Sequence, residues 1–298
     1  MAIAREAQEL PELAYGSTGW LKSVGRAARK NPAGAFAGLV CLLLIVLAIG
    51  GQSFAPYDPN RIDFPFLQAP SLSHPLGTDN LFRDLFSRII FGARISLGIS
   101  FAAIGVSIAL GVVLGISSGY LGGVCDMLVS RFIDILFAYP ALVLVIFMVT
   151  IFGREFATIS VAIGLILTPY TIRVVRAATL SVRNLQYIEA ATALGAGHVR
   201  IMYRHILPNV MPYIIVAASV NIGLAILTEA ALSFLGLGVS SDTNPSWGRM
   251  LQETRNVWQE AWWTAIVPGL AISVAVTAYN MFGDALRDWL DPRLRGSR

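Results

Sequence analysis

The side chains that could do acid–base, nucleophilic or metal chemistry are few and scattered in this sequence. Histidine occurs at His74, His198 and His205, and cysteine at Cys41 and Cys125. The sequence contains no Cys-x-x-Cys, no His-Glu-x-x-His and no Gly-x-x-x-x-Gly-Lys-Ser/Thr, which are the spacings typical of zinc sites, metalloproteases and phosphate-binding loops. The sequence therefore predicts a chain with no catalytic residue, no metal and no cofactor of its own.

One carboxylate stands out because its surroundings are apolar. Glu229 occurs in the stretch ILTEAALSFLGLG, and an ionisable residue inside a membrane span often marks an ion or substrate pathway. We favour the other interpretation, in which Glu229 hydrogen-bonds a neighbouring helix or reaches the lipid headgroups. Pro140 and Pro169 are open to the same two interpretations, since a proline kink can serve a pathway or helix packing.

The composition indicates a membrane protein. The chain has 298 residues, of which 55% are hydrophobic and 13% charged, and its mean hydropathy is +0.66. A soluble domain carries about 25% charged residues.

Six segments are long and apolar enough to predict membrane spans, so we expect an all-α polytopic fold with six transmembrane helices. The third and fourth segments are the shortest, and their ends are the hardest to place. The segments run from Ala33 to Ala55, from Arg94 to Cys125, between Asp134 and Arg154, between Glu155 and Arg173, between Arg204 and Glu229, and between Glu260 and Asp284.

Basic residues predict the orientation of these spans, because Lys and Arg are enriched on the cytoplasmic side. With the N-terminus inside, the inner segments hold 15 Lys and Arg residues and the outer segments hold 7. We therefore expect cytoplasmic tails at 1–32 and 285–298, a first span at 33–55, an outer loop at 56–93 and a core domain at 94–284 that includes an inner loop at 184–208.

Three smaller features of these segments are open to interpretation. Residues 85–93 of the outer loop have apolar side chains at helical spacing, which indicates an interfacial lead-in to the second span.

The N-terminal tail is either a basic amphipathic helix on the inner leaflet, with Trp20 and Val24 on its apolar face, or a tail that only sets topology. A second outer loop carries Trp247, Trp258, Trp262 and Trp263, which suits a belt at the lipid–water boundary or a docking surface.

The inner loop contains the stretch YIEAATALGAGHVRIMYRHILPNV, residues 187–210. Apolar residues at helical spacing predict two short helices, and Gly195 and Gly197 permit a break between them. The spacing leaves two interpretations open. The stretch is either a helical hairpin that links two spans or a helix that protrudes and fits a groove on another protein.

A resemblance to a known family decides between these interpretations. Glu189, Ala190 and Ala191, three further residues, then Gly195 and later Leu207–Pro208 resemble the EAA loop of bacterial ABC importer permeases. Four more stretches narrow the resemblance to the second, C-type subunit of the dipeptide/oligopeptide/nickel branch, and it covers residues 33–295 in family order. The stretches are HPLGTDNLFRDLFSRIIFGARISL, RFIDILFAYPALVL, LSFLGLGVSSDTNPSWGRML and WWTAIVPGLAISVAVTAYNMFGDALRDWLDPRLR.

The chain departs from the family pattern at two positions. Phe82 stands where the family commonly has glycine before Arg-Asp, which puts the local turn geometry in doubt. His205 stands where isoleucine is usual, a variation familiar in peptide-type members. Neither departure affects the Glu-Ala-Ala triplet.

The resemblance implies a type I ABC importer permease (MetI-like) fold in the bacterial inner membrane, with both termini cytoplasmic. Its implied partners are a homologous second permease, two cytoplasmic ATPases that bind ATP and Mg, an extracytoplasmic solute-binding protein and the lipid bilayer, with no role for nucleic acid. The ATPase-coupling residues it implies are Glu189, Ala190, Ala191, Leu194, Gly195, Gly197, Leu207 and Pro208.

The function expected from this resemblance is import of di- and oligopeptides. Glutathione, nickel, an opine or another small solute is the alternative for the same machinery. A secondary transporter or channel is the alternative class, but it would need an ion relay or a lined filter, and the predicted spans are nearly free of charge. An intramembrane enzyme is disfavoured by the missing catalytic motifs.

Overall fold

The computed structural model describes residues 31–239 and 244–290. The regular structure in these ranges is helical, which confirms the expected all-α class. A π-helical turn at Met202–Ile206 joins the helices His198–Ile201 and Leu207–Phe234, so that His198–Phe234 is one 37-residue helix. The helices are α1 (Pro32–Phe54), α2 (Leu85–Leu121), α3 (Gly123–Phe137), α4 (Ala141–Phe152), α5 (Phe156–Val182), α6 (Gln186–Ala193), α7 (His198–Ile201), α8 (Leu207–Phe234), α9 (Trp247–Glu253) and α10 (Trp262–Leu290).

Within the described ranges, five helices are long and apolar enough to cross a bilayer, namely α1, α2, α5, the joined α7–α8 helix and α10. A sixth crossing exists only if α3 and α4 count as one broken span, because their axes meet at 87°. The third span predicted between Asp134 and Arg154 is therefore interrupted between Phe137 and Ala141, and a sixth crossing stays a prediction. Pro140 explains the break, since it lacks an N–H and disfavours helical angles at Tyr139.

Other helix ends also differ from the predicted spans. The outer loop predicted for 56–93 ends at residue 84, because α2 already begins at Leu85. The helix that corresponds to the predicted fifth span begins at His198 rather than after Arg204. At the other end of the chain, α10 reaches Leu290, so residues 285–290 of the expected tail are helical.

Asp84 explains the early start of α2. Its carboxylate accepts hydrogen bonds from the backbone N–H of Ser87 at 2.8 Å and from the Ser87 hydroxyl at 2.7 Å. Such an N-cap satisfies donors that the first helical turn leaves free. His74 Nδ1 lies 2.8 Å from the other carboxylate oxygen, which fixes the cap against the preceding loop. Since α2 has 37 residues, it is about 55 Å long and exceeds the bilayer core.

The two most closely packed helices are α2 and α5, and they approach through matched stripes of small residues. A Cβ atom placed on Gly115 would lie 2.8 Å from the Cβ of Val175 and 3.0 Å from the carbonyl oxygen of Ile172. Small residues permit this approach, which is typical of helix packing in membranes. The facing positions are Gly111 with Thr171, Gly115 with Val175, and Gly119 with Thr179.

The loop helix α9 is inserted between other elements, and the expected tryptophan belt is only partly observed. Trp247 is buried, and its Nε1–H donates to the carbonyl of Ile89 at 3.0 Å. Trp263 is also buried, and its Nε1–H donates to the carbonyl of Thr78 at 3.2 Å. Trp258 and Trp262 are exposed, so two of the four tryptophans belong to the core and two remain at the surface.

Two expectations fall on other parts of the chain. The amphipathic helix predicted around Trp20 and Val24 lies outside the described residues, and so do the final residues 291–298 of the C-terminal tail.

Candidate functional site

The stretch singled out by the sequence lies between α5 and α8 and begins with α6. Leu185, with φ −80° and ψ 142°, precedes the first turn of α6. Ile188 is buried, whereas Glu189 and Ala190 are exposed and Ala191 is half-buried. Glu189 lies in the first turn of α6, where a negative charge is favoured by the helix dipole. The Glu-Ala-Ala triplet is therefore displayed on the surface of a short helix.

Gly195 ends α6 in a left-handed conformation with φ +81°. The Gly195 N–H donates to the carbonyl of Thr192 at 2.9 Å, and the Ala196 N–H donates to that of Ala191 at 3.1 Å. This pair of bonds is a Schellman motif, which satisfies carbonyls at a helix end and favours glycine at this position. The sequence needs a glycine here because an L side chain would strain the turn.

The second helical piece leads without interruption into α8. Gly197 precedes α7 with φ −67° and ψ 154°. The Leu207 N–H donates to the carbonyl of Met202, five residues earlier, which is the π-helical pattern. Pro208 has no N–H to offer the preceding turn, and the side-chain amide of Asn209 donates to the His205 carbonyl at 2.7 Å.

A buried apolar cluster holds this loop against the ends of α2 and α5. Ile188 of α6, Ile201 of α7 and Ile206 of the π turn are at most 3% exposed. They pack with residues of the long helices in one core cluster. The α2 and α5 members of that cluster are Ile116, Val175, Ala178 and Val182.

Polar contacts reinforce the same end of the molecule. Arg176 of α5 binds Asp126 of α3 through two hydrogen bonds, of 2.6 Å and 2.7 Å. Arg183 donates to the carbonyl of Gly119, at the end of α2, at 2.9 Å. The hydroxyl of Tyr120 lies 3.2 Å from Nδ1 of His198. A bidentate arginine–carboxylate pair fixes geometry as well as charge. These contacts therefore hold α2, α3 and α5 together at the end of the molecule where the loop lies.

The loop has exposed apolar side chains beside exposed charged ones such as Arg200 and Arg204. Leu194 is 89% exposed, Val199 75% and Tyr203 74%. All three belong to the segment that follows the Glu-Ala-Ala triplet, from the end of α6 to the π turn. Exposed apolar groups on a loop offer contact area to another protein.

Glu229 lies far from this loop. It is 22 residues beyond Leu207 on the same helix, which corresponds to about 33 Å. Its side chain is buried, and one carboxylate oxygen accepts from the Ser233 hydroxyl at 2.7 Å. The other carboxylate oxygen is buried and has no hydrogen-bond partner among the described residues. This burial favours the helix-packing role. Pro140 lies at the bend before α4, and Pro169 lies inside α5, so neither joins the loop.

The sequence analysis missed a charged network at the opposite end. Glu253 Oε2 accepts from Arg83 at 2.6 Å and from Arg88 at 3.1 Å. Arg83 also pairs with Asp79 at 2.7 Å. Glu253 is 170 residues away from Arg83 along the chain, and no local spacing signals such a contact. The network ties α9 to the loop before α2.

Two family descriptions match the chain. "Binding-protein-dependent transport system inner membrane component" matches residues 111–296. "N-terminal TM domain of oligopeptide transport permease C" matches residues 19–71. The first match includes the whole loop from α6 to α8 and more than half of the chain.

Relatives resemble the chain over nearly its full length. A "Glutathione transport system permease protein GsiD" of Pectobacterium atrosepticum is 43% identical over 280 residues, which are 93% of this chain and 92% of the relative. A "Dipeptide transport system permease protein DppC" of Alkalihalophilus pseudofirmus is 38% identical, covering 96% and 94% of the two chains. A "Di/tripeptide transport system permease protein DppC" of Pseudomonas aeruginosa is 40% identical, covering 96% of each chain.

A solved structure shares the fold at low sequence identity. A chain of the MetNI methionine ABC transporter, in an inward-facing conformation, matches with a TM-score of 0.56 and 18% identity over 68% of this chain and 96% of that chain. This likeness concerns the fold alone. Taken with the family match and the relatives, it agrees with the helical architecture described above, and the chain belongs to the family of binding-protein-dependent transport system inner membrane components.

Proposed function

We propose that the chain is the C-type permease subunit of an ATP-driven importer of di- and oligopeptides, coupled to its ATPases through residues 184–208, called the α6–α7 loop below. The permease role follows from the family, and the peptide substrate is supported by the names of the dipeptide and di/tripeptide relatives. Glutathione, itself a tripeptide, is the second candidate because the 43% identical relative carries its name. Competition between labelled dipeptide and unlabelled glutathione during uptake distinguishes the two substrates.

In this proposal the chain pairs with a homologous second permease and the two line a common pathway. Two cytoplasmic ATPases bind ATP and Mg, and an extracytoplasmic solute-binding protein delivers the substrate. The described residues supply no nucleotide-binding motif, so the driving force comes from the ATPases. Both termini and the α6–α7 loop are cytoplasmic, in line with the 15 to 7 distribution of Lys and Arg.

The observation that carries the proposal is the set of exposed apolar side chains on the α6–α7 loop, which is packed against α2 and α5. Leu194, Val199 and Tyr203 offer area to a partner, and Glu189 offers a negative charge at the start of α6. Alanines beside Glu189 leave room for close approach of a partner surface. A complementary groove on an ATPase would bury this surface.

Mechanical coupling follows from how the loop is held. Ile188, Ile201 and Ile206 are buried against α2 and α5, and α7 continues into α8 without a flexible linker. A displacement of α6 by an ATPase is therefore passed to three long helices, since packed cores move as units. ATP binding would open the pathway outward in this way, and hydrolysis would reset it.

Reversal of the charge at Glu189 tests the proposal. We expect Glu189→Lys to reduce ATP-dependent peptide uptake at least tenfold while the amount of protein in the membrane stays unchanged, because an exposed residue is replaced. Peptide uptake by intact cells and quantitative blotting of the membrane fraction measure the two effects. Glu260→Lys is the matched control, since Glu260 is also exposed but precedes α10 at the other end of the molecule. Normal uptake with Glu189→Lys would refute the coupling role.

A further inference from the structure

Helix α3 lies between two points at which the chain changes direction. Gly122 has φ +65° and Gly123 has φ +52°, left-handed angles that glycine adopts without strain. At the other end, Pro140 separates α3 from α4, and the two helix axes meet at 87°. Helix α3 is therefore a straight segment of 15 residues with a break at each end.

The elements on either side of α3 are firmly packed. The end of α2 is held by the hydrogen bond from Arg183 to the carbonyl of Gly119 and by the apolar cluster that contains Ile116. On the other side, α4 contributes Val145 and Val149, both fully buried, to a core cluster that it shares with α5. A rotation at the two breaks can therefore change the direction of α3 while both neighbours keep their packing.

Helix α3 itself is packed much more sparsely. The structure describes all 15 of its residues, and two of them, Val129 and Ile133, are buried. They contact Ile172 of α5 in a small cluster. An element with few buried apolar contacts can move at low cost in free energy. The position of α3 therefore depends strongly on its remaining contacts with α5.

Two arginines of α5 supply those contacts, one near each end of α3. Arg176 donates to both carboxylate oxygens of Asp126, at 2.6 Å and 2.7 Å. The hydroxyl of Ser118, near the end of α2, donates to the same carboxylate. The guanidinium of Arg173 lies 4.6 Å from the ring centroid of Phe137, the last residue of α3, a cation–π contact. Because the arginines are three residues apart, they lie on one face of α5.

The same part of α5 leads directly into the α6–α7 loop. Arg176 lies six residues before the end of α5 at Val182, and α6 begins at Gln186. A bidentate arginine–carboxylate pair fixes orientation as well as distance. A displacement of the loop that moves the end of α5 therefore acts on α3 through the two arginines.

We propose that Arg173 and Arg176 are positioning residues for transport, which hold α3 against α5 so that α3 follows α5 when the ATPases displace the α6–α7 loop. This inference rests on the proposed function, because it needs a loop that ATPases drive. Without the two contacts, α3 turns at its two breaks while α5 moves alone. ATP hydrolysis then continues without a matching uptake of peptide.

Arg176→Gln in the complete importer, reconstituted in liposomes, tests this role. We expect peptide uptake to fall about tenfold, within the usual range of coupling between sites, while ATP hydrolysis by the complex continues. Loss of folded protein would instead lower both activities together. Arg131→Gln is the matched control, because Arg131 is an exposed arginine that pairs with Asp134 inside α3. Unchanged uptake by Arg176→Gln would overturn the proposal.

A pair of substitutions at Phe137 tests the second contact without altering a charge. Phe137 is 53% exposed, so its replacement leaves the core intact. Phe137→Trp keeps an aromatic face for Arg173, whereas Phe137→Leu keeps only an apolar side chain. We expect Phe137→Leu to lower uptake severalfold at an unchanged amount of protein, and Phe137→Trp to retain uptake. Equal uptake by the two variants would overturn the role of Arg173.

Distances between spin labels test directly whether the arginines hold α3. Labels at Leu128 of α3 and Ser181 of α5, both exposed, are placed in a chain whose two cysteines are replaced by alanine. We expect one narrow distance distribution with and without ATP, because α3 follows α5. The combination of Arg173→Gln and Arg176→Gln should broaden it. Equal widths in the two chains would overturn the proposal.

A photoreactive amino acid at Leu194 of the α6–α7 loop separates this inference from the proposed function. A crosslink from position 194 to an ATPase, together with normal uptake by the arginine variants, would overturn the role of α3 and leave the proposed function standing. Absence of that crosslink in an active importer would remove the proposed coupling itself, and this inference with it.

Discussion

Gly195 and Gly197 have similar open space but different backbone angles. A Cβ added to either would meet no atom within 4 Å. Gly195 has φ +81° and closes the Schellman motif of α6, whereas Gly197 has φ −67°. The left-handed conformation costs an L residue about 1–2 kcal/mol. The turn after α6 therefore depends on Gly195 far more than on Gly197.

This difference gives a matched pair of substitutions. Gly195→Ala should destabilise the α6 turn by about 1 kcal/mol and reduce ATP-dependent uptake severalfold, because the proposed coupling surface loses its fixed position. Gly197→Ala should change both quantities little. ATP-dependent uptake and protease sensitivity of the loop measure the effects. Equal effects of the two substitutions would show that the backbone angle is not the cause.

The role of Glu229 can be tested by measuring the free energy of unfolding of its variants. Its carboxylate accepts a hydrogen bond from the buried Ser233 hydroxyl. Glu229→Ala should lower the free energy of unfolding by about 2–3 kcal/mol, since it leaves a cavity and deprives the Ser233 hydroxyl of its acceptor. Glu229→Gln keeps an acceptor and should cost about half as much.

Thermal unfolding in detergent, measured beside uptake, separates the two interpretations of Glu229. The helix-packing role predicts that uptake falls only as far as the amount of folded protein falls. Abolished uptake with full thermal stability in both variants would instead support a pathway role.

Phe82 shows which features of a single residue the sequence predicts and which it does not. The family pattern identifies the position as one that commonly holds glycine, and the structure gives it φ +60°, an angle that glycine adopts without strain. The turn therefore keeps its left-handed geometry with phenylalanine in place. The ring of Phe82 lies 5.3 Å from that of Phe66, a contact that no sequence spacing predicts.

At the element scale, the α2–α5 interface depends on the absence of side chains at three glycines. Gly115→Ala should lower the free energy of unfolding by about 1–3 kcal/mol, because the added methyl group would overlap Val175 and the backbone of α5. Gly105→Ala on the same helix is the control, since a Cβ there meets no atom within 4 Å. Thermal unfolding compares the stability of the two variants. An equal loss of stability would mean that the close approach of α2 to α5 at Gly115 is not important.

Helix identity followed from the sequence more reliably than helix ends did. Apolar length predicted the long helices because burial in lipid demands it. The ends depend on individual groups, such as the Asp84 cap that starts α2 early and Pro140 that divides the third segment. Proline at 140 was noticed in the sequence, but the 87° angle depends on how α3 packs against α5 through Val129, Ile133 and Ile172.

At the scale of the whole molecule, the two ends of the bundle are held by different forces. The end at α6 and α7 has an apolar cluster and the Arg176–Asp126 pair. The end at α9 has the Glu253 network and two buried tryptophans. Sequence analysis identified the first end because its pattern is local and resembles a family motif. It missed the second because the partners are far apart in the chain and meet only after folding.

Photo-crosslinking from the α6–α7 loop tests the central claim most directly. A photoreactive amino acid replaces Leu194, which is 89% exposed, or Leu72, which is fully exposed in the loop before α2, in cells that contain the complete importer. We predict a crosslink from position 194 to an ATPase subunit, with a yield that changes on ATP binding, and none from position 72. Absence of any ATPase crosslink from position 194 in an importer that is active in uptake would contradict the account.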